Sequence, residues 1–142
     1  MLIKSFKTIT LSNIETEVLG QKFSKKISKG DIITLNGNLG SGKTTFVKGV
    51  LKGLNYKNEV TSPTYTLINE YYTENHTLIH IDCYREKNIN RWLNIGLIDY
   101  LSEDNILFIE WAKNIQSILP NEINNIYFNV LDTNKRLIKC NE

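Results

Sequence analysis

The sequence predicts an α/β protein, a mixed β-sheet flanked by helices with antiparallel hairpins. Three observations carry this. An apolar run at 31–35 leads into a glycine-rich stretch and then into a helical apolar stripe. A second, wholly apolar run at 106–109 ends in Glu110, as a strand buried in a parallel sheet does. Two pairs of strand-like segments are separated by short polar turns, the pattern of antiparallel hairpins. The chain has 142 residues, 41% hydrophobic and 23% charged, which suits one domain over 1–142 with its own core. No internal repeat or linker interrupts it.

In chain order, residues 3–9 alternate apolar and polar, as a half-buried strand does. Ser12 and Glu15 form a capping box. The stripe Ile14, Val18, Leu19, Phe23, Ile27 extends the expected helix to about Lys29-Gly30. Residues 31–35 are a short buried strand, and 45–54 a helix with Phe46, Val47, Val50, Leu51 and Leu54 on one face. Pro63 stiffens a turn that holds out the hydroxyls of Ser62 and Thr64. Residues 66–72 and 77–83 form a hairpin, with Leu78, His80 and Asp82 on one face of its second strand. Residues 92–101 are expected as one short amphipathic helix containing Gly96. The strand 106–109 precedes a helix at 112–119 stopped by Pro120, and a hairpin of 123–131 with 136–140 closes the chain.

Composition excludes several classes. A net charge of +2 does not demand nucleic acid or an anionic membrane as a direct partner. No apolar run approaches the length of a membrane span, and the apolar N-terminal stretch is too short for a signal peptide. Cys83 and Cys140 have neither metal-site nor disulfide-framework spacing. The expected location is cytoplasmic.

The stretch Asn-Gly-Asn-Leu-Gly-Ser-Gly-Lys-Thr-Thr at 36–45 carries the chemistry. Gly37, then four residues, then Gly42-Lys43-Thr44 is the phosphate-binding loop pattern, placed between a strand and a helix as that loop requires. The expected fold is therefore P-loop NTPase-like. Successive N–H groups would form an anion nest reinforced by the helix N-terminus. Gly37, Asn38, Leu39, Gly40, Ser41, Gly42, Lys43, Thr44 and Thr45 are the candidate nucleotide-binding residues. Lys43 would reach the β- and γ-phosphates, and the Thr44 hydroxyl would ligate Mg²⁺.

Hydrolysis also needs a carboxylate near the metal. Glu110 and Asp82 both end apolar strands, and spacing alone does not choose between them. Trp111, directly after Glu110, would lie where the strand meets the site. No Asn/Thr-Lys-x-Asp stretch reads guanine, and no arginine-rich lid suggests a nucleotide kinase.

Five segments, at 36–46, 61–67, 80–85, 96–99 and 109–111, resemble in order and spacing the bacterial TsaE (YjeE) ATPases. That resemblance covers roughly residues 6–140. It implies ATP and Mg²⁺ as ligands and slow hydrolysis stimulated by partners. The implied role is in threonylcarbamoylation of adenosine 37 in tRNAs reading ANN codons. The partners would be the transferase TsaD and its companion TsaB, with tRNA met only indirectly and no membrane involved. It also implies Thr44 and Glu110 as metal ligands, Asp82 on the metal or water side, and Lys43 as phosphate clamp. The catalytic set is then Lys43, Asp82 and Glu110, and Arg136 would stand near the nucleotide. Ser62, Pro63 and Thr64 would form one switch segment; His80, Tyr84 and Arg85, with Trp111, would form a second. Two departures stand out: Asn38 replaces the family's usual Asp, and the segment after Arg85 lacks its acidic run. Two other readings use the same loop: a binding module in which ATP is a structural latch, and a small-molecule kinase.

Overall fold

The computed structural model describes residues 1–102 and 104–142. Seven strands form one mixed sheet: β1 (Phe6–Thr10), β2 (Ile32–Asn36), β3 (Ile68–Tyr72), β4 (Thr77–Asp82), β5 (Asn105–Glu110), β6 (Asn124–Val130) and β7 (Arg136–Cys140), in the order β1-β7-β6-β2-β5-β4-β3. The central pairs β2–β5, β2–β6 and β4–β5 are parallel; β3–β4, β6–β7 and β1–β7 are antiparallel. Both expected hairpins are present. The parallel centre is buried on both faces, which is why β2 and β5 read as continuous apolar runs.

One face is covered by two helices, α1 (Asn13–Phe23) and α2 (Lys43–Gly53), over a core of Phe23, Phe46, Phe108 and Phe128 with aliphatic neighbours. The other is covered by α3 (Ile89–Asn94), α4 (Leu97–Tyr100) and a 3-10 segment at Ala112–Ile118, around Trp92, Leu97 and Ile115.

The capping box of α1 forms: Glu15 N–H donates to Ser12 Oγ at 3.1 Å. The Glu15 carboxylate in turn accepts from Leu11 N–H at 2.8 Å. The rest of α1 departs from expectation. The helix stops at Phe23 and leaves Ile14 74% exposed and Val18 partly so; the buried residues are Thr16, Gly20 and Phe23. The apolar stripe misleads because α1 meets α2 backbone to backbone. A Cβ on Gly49 would fall 2.0 Å from the Glu17 carbonyl oxygen, and one on Gly20 2.2 Å from that of Phe46. Only a face of small residues permits that approach, so the bulky ones turn outward.

The expected helix at 92–101 is two helices, broken where Gly96 adopts φ +89°. Trp92 is buried there, while Leu93 and Ile98 are exposed. The segment after Trp111 is a kinked 3-10 run, with Ile115 at φ −126°.

Gly49→Ala should destabilise the fold by about 1–3 kcal/mol through overpacking, read as a lower urea midpoint. Gly40→Ala, whose added Cβ would meet no described atom within 4 Å, should cost only about 1–2 kcal/mol of left-handed backbone strain.

Candidate functional site

The C-terminal ends of β2, β4 and β5 converge beside the loop at 37–42. Register sets Asp82 of β4 directly opposite Glu110 of β5, and both are buried. Two adjacent carboxylates at one sheet edge repel, so each needs its own compensation. Asp82 finds it in neutral donors: Tyr84 N–H at 2.9 Å and the Thr64 hydroxyl at 3.1 Å. Glu110 finds it in charge. Its Oε1 lies 3.3 Å from Lys43 Nζ, and its Oε2 is 2.7 Å from His80 Nε2. Lys43 Nζ also donates to the Gly37 carbonyl. Burial pushes the Glu110 carboxyl up, but the His80 hydrogen bond and the positive field of His80 and Lys43 outweigh it and hold the group below its ordinary range.

The loop itself turns through Gly40 at φ +77° and Gly42 at φ +104°. Those left-handed angles suit glycine, Ser41 N–H donates within the loop to the Asn38 carbonyl at 3.1 Å, and Gly42 is the cap from which α2 starts at Lys43. A cavity of ≈ 430 Å³ opens there, lined by Leu39, Gly40, Gly42, Lys43, Thr44, Thr45, Ser62, Thr64, Glu110 and Arg136, with Asn13 from the first turn of α1. Arg136 reaches the loop from β7. Its Nη2 donates to the Gly40 carbonyl at 3.2 Å, and its Nη1 to the carbonyls of Asp132 and Thr133.

Other sequence candidates stand apart from this cavity. Gly37 is a packing residue: a Cβ there would meet Ser41 Oγ at 2.6 Å. Asn38 and Trp111 line a separate cleft of ≈ 250 Å³ on the loop's flank. Trp111 has φ +57°, stacks on Tyr84 with centroids 5.0 Å apart, and sits 5.9 Å from Lys43 Nζ. Pro63 is buried beneath its turn. Arg85 lies over the exposed Tyr65 ring at 4.8 Å. Asp82 adjoins the cavity without lining it. Asn13 was not foreseen: its only signal was the capping box that fixes where α1 begins, and nothing local ties that helix start to a loop more than twenty residues away.

The donor set suits a hard cation brought in with phosphate. Thr44 and Glu110 both line the cavity and carry side-chain oxygens. Among the described residues no group of three His, Cys, Asp or Glu side chains would hold a metal unaided. Mg²⁺ takes one or two protein oxygens, with phosphate and water completing its shell.

Residues 10–138 match the profile of the family described as threonylcarbamoyl adenosine biosynthesis protein TsaE. The chain belongs to the TsaE family. Curated TsaE proteins agree along its length. That of Haemophilus influenzae is 39% identical over 106 residues, covering 71% of this chain and 67% of the relative. That of Rickettsia bellii is 34% identical over 142 residues, covering 99% and 96%. The crystal structure of Bacillus subtilis YdiB superposes with a TM-score of 0.81 at 31% identity, covering 99% of this chain and 86% of that one. The mixed sheet flanked by helices is thus the TsaE fold. No described helix is long and apolar enough to cross a membrane.

The depressed Glu110 carboxyl makes a pH prediction. Its folded value lies below the unfolded one, so its contribution is present above the ordinary carboxylate range and is lost as pH falls through the folded value. The urea stability of wild type relative to Glu110→Gln should therefore narrow as the solution is acidified from about pH 6 to about pH 3.

Proposed function

We propose that the chain is the ATP-binding, slowly hydrolysing accessory protein of tRNA threonylcarbamoyladenosine formation, acting with TsaD and TsaB. The observation that carries this reading is the buried pairing of Lys43 with Glu110 at the mouth of the phosphate loop. Lys43 pairs with Glu110 and donates a hydrogen bond to the Gly37 carbonyl. Incoming triphosphate offers Lys43 a stronger partner and frees Glu110 Oε1. Thr44 and Glu110 would then hold Mg²⁺, whose charge neutralises the β- and γ-phosphates during transfer to water. The loop N–H groups and the α2 N-terminus would bind the phosphates, and Arg136 and Asn13 also line the cavity.

Asp82 takes a different part. Both its oxygens already accept hydrogen bonds, from Thr64 of one proposed switch segment and from Tyr84 of the other. It couples those segments to the strand end beside Glu110, on the water side of the site. Glu110, which lines the cavity, is the better metal ligand of the two acids. With no guanine-reading stretch, adenine is the expected base. TsaD and TsaB come to this chain through its family, with tRNA reached through them. Its family places the work in the cytoplasm. A nucleotide site at the C-terminal edge of the sheet, lined by Ser62 and Thr64 of the first segment and joined to the second through Asp82, suits a partner that senses nucleotide state.

Calorimetric titration tests the site. Lys43→Ala should weaken ATP binding by about a hundredfold, corresponding to roughly 3 kcal/mol for a charge-assisted contact. Unchanged ATP affinity in the folded variant would overturn the phosphate-loop assignment. Glu110→Ala and Asp82→Ala should keep ATP affinity within about tenfold of wild type yet lose most partner-stimulated phosphate release. Normal release from both variants with TsaD and TsaB present would reduce the acids to structural strand ends. Competition should favour ATP over GTP, and a phosphorylated small-molecule acceptor in place of free phosphate would point to a kinase instead.

A further inference from the structure

His80 is fully buried on β4, on the face that carries Leu78 and Asp82. Its register partner on β5 is Phe108, so Glu110 is its diagonal neighbour, one side-chain step nearer the cavity. The ring is committed to one contact. Nε2 meets Glu110 Oε2 at 2.7 Å, and Nδ1 has no hydrogen-bond partner among the described residues. A buried ring nitrogen left unpaired costs stability. An apolar side chain would avoid that cost beside Leu78, Ile106 and Phe108, and the polar residue opposite on β3, Asn69, gives its amide to the Thr61 carbonyl and not to the ring. What histidine supplies there is an N–H held against one oxygen of Glu110.

The two oxygens of that carboxylate are thereby made unequal. Oε2 is fixed by His80, while Oε1 is the one beside Lys43. Lys43 leaves Glu110 when it turns to phosphate; His80, which lies behind the carboxylate, does not. We propose that His80 is the positioning residue for Glu110: it anchors Oε2 so that Oε1 alone faces the metal, and holds that orientation after Lys43 has moved away. This rests on the reading of Glu110 as a Mg²⁺ ligand. Without the anchor, the carboxylate would turn freely about its last bond and would pay rotamer freedom on each metal-binding event. Hydrogen-bond partners behind a ligating side chain commonly change metal affinity by about 10–100-fold.

The test is calorimetric ATP binding by the full chain, first in EDTA and then across a Mg²⁺ titration. The readout is the Mg²⁺ concentration at half-maximal enhancement. His80→Leu should raise that midpoint about tenfold while leaving ATP affinity in EDTA within about twofold of wild type. His80→Gln, whose amide reaches the Nε2 position, should stay within about threefold of wild type, whereas the shorter His80→Asn should behave like His80→Leu. The Gln–Asn contrast decides the matter if the leucine variant does not fold. Glu110→Gln should also raise the midpoint, and adding His80→Leu to it should raise it no further. If Glu110→Gln raises the midpoint and His80→Leu does not, the positioning role is wrong and the site reading stands. If Glu110→Gln leaves it unchanged, the reading of Glu110 itself fails. Equal losses by His80→Leu in EDTA and in Mg²⁺, or by Gln and Asn alike, would make His80 a packing residue.

Discussion

Two carboxylates forced side by side are the constraint on which the rest of the site depends. The parallel register of β4 and β5 leaves no freedom in placing Asp82 against Glu110. The surroundings therefore keep them different. One is satisfied by neutral hydrogen bonds from the loops, the other by a histidine and a lysine. A like-charged pair in one environment would share a proton. In two environments, each acid keeps its own role.

That division requires Lys43 to start its helix at a fixed depth. The depth is set within the covering layer itself, where α1 and α2 touch through Gly20 and Gly49. A helix held by main-chain contact cannot roll or slide as one resting on long side chains can. The precision of the cation at the site thus originates in residues with no side chain at all, one of them on a different helix.

Much of this was legible in the sequence. The strand–loop–helix order around residues 37–42, both hairpins, the apolar strand ending at Glu110 and the Ser12–Glu15 capping box are each local patterns of a few residues. Each is specified by spacing alone. The illegible features are those decided by contact. Ile14 and Val18 looked like a buried stripe, because periodicity records a face and not what it meets. The 92–101 helix splits at Gly96 because both Trp92 and Leu97 must reach the same core, which one straight helix would not allow. Asn13 joins the cavity through folding alone, and the pairing of His80 with Glu110 follows from a strand register that no sequence pattern states.

The hold on Arg136 carries a consequence of another kind. Its guanidinium is gripped by main-chain carbonyls of its own hairpin turn, those of Asp132 and Thr133, and spans from them to Gly40. Backbone oxygens are present whatever the side chains. The identities of residues 133–135 are therefore free to drift over evolutionary time, provided the turn, which the Asp132 carboxylate braces by accepting from Thr133 N–H at 2.7 Å, keeps its length and shape. An insertion of one residue there would displace the guanidinium from the loop more surely than almost any substitution. Related chains should accordingly differ in the letters of this turn far more than in its length.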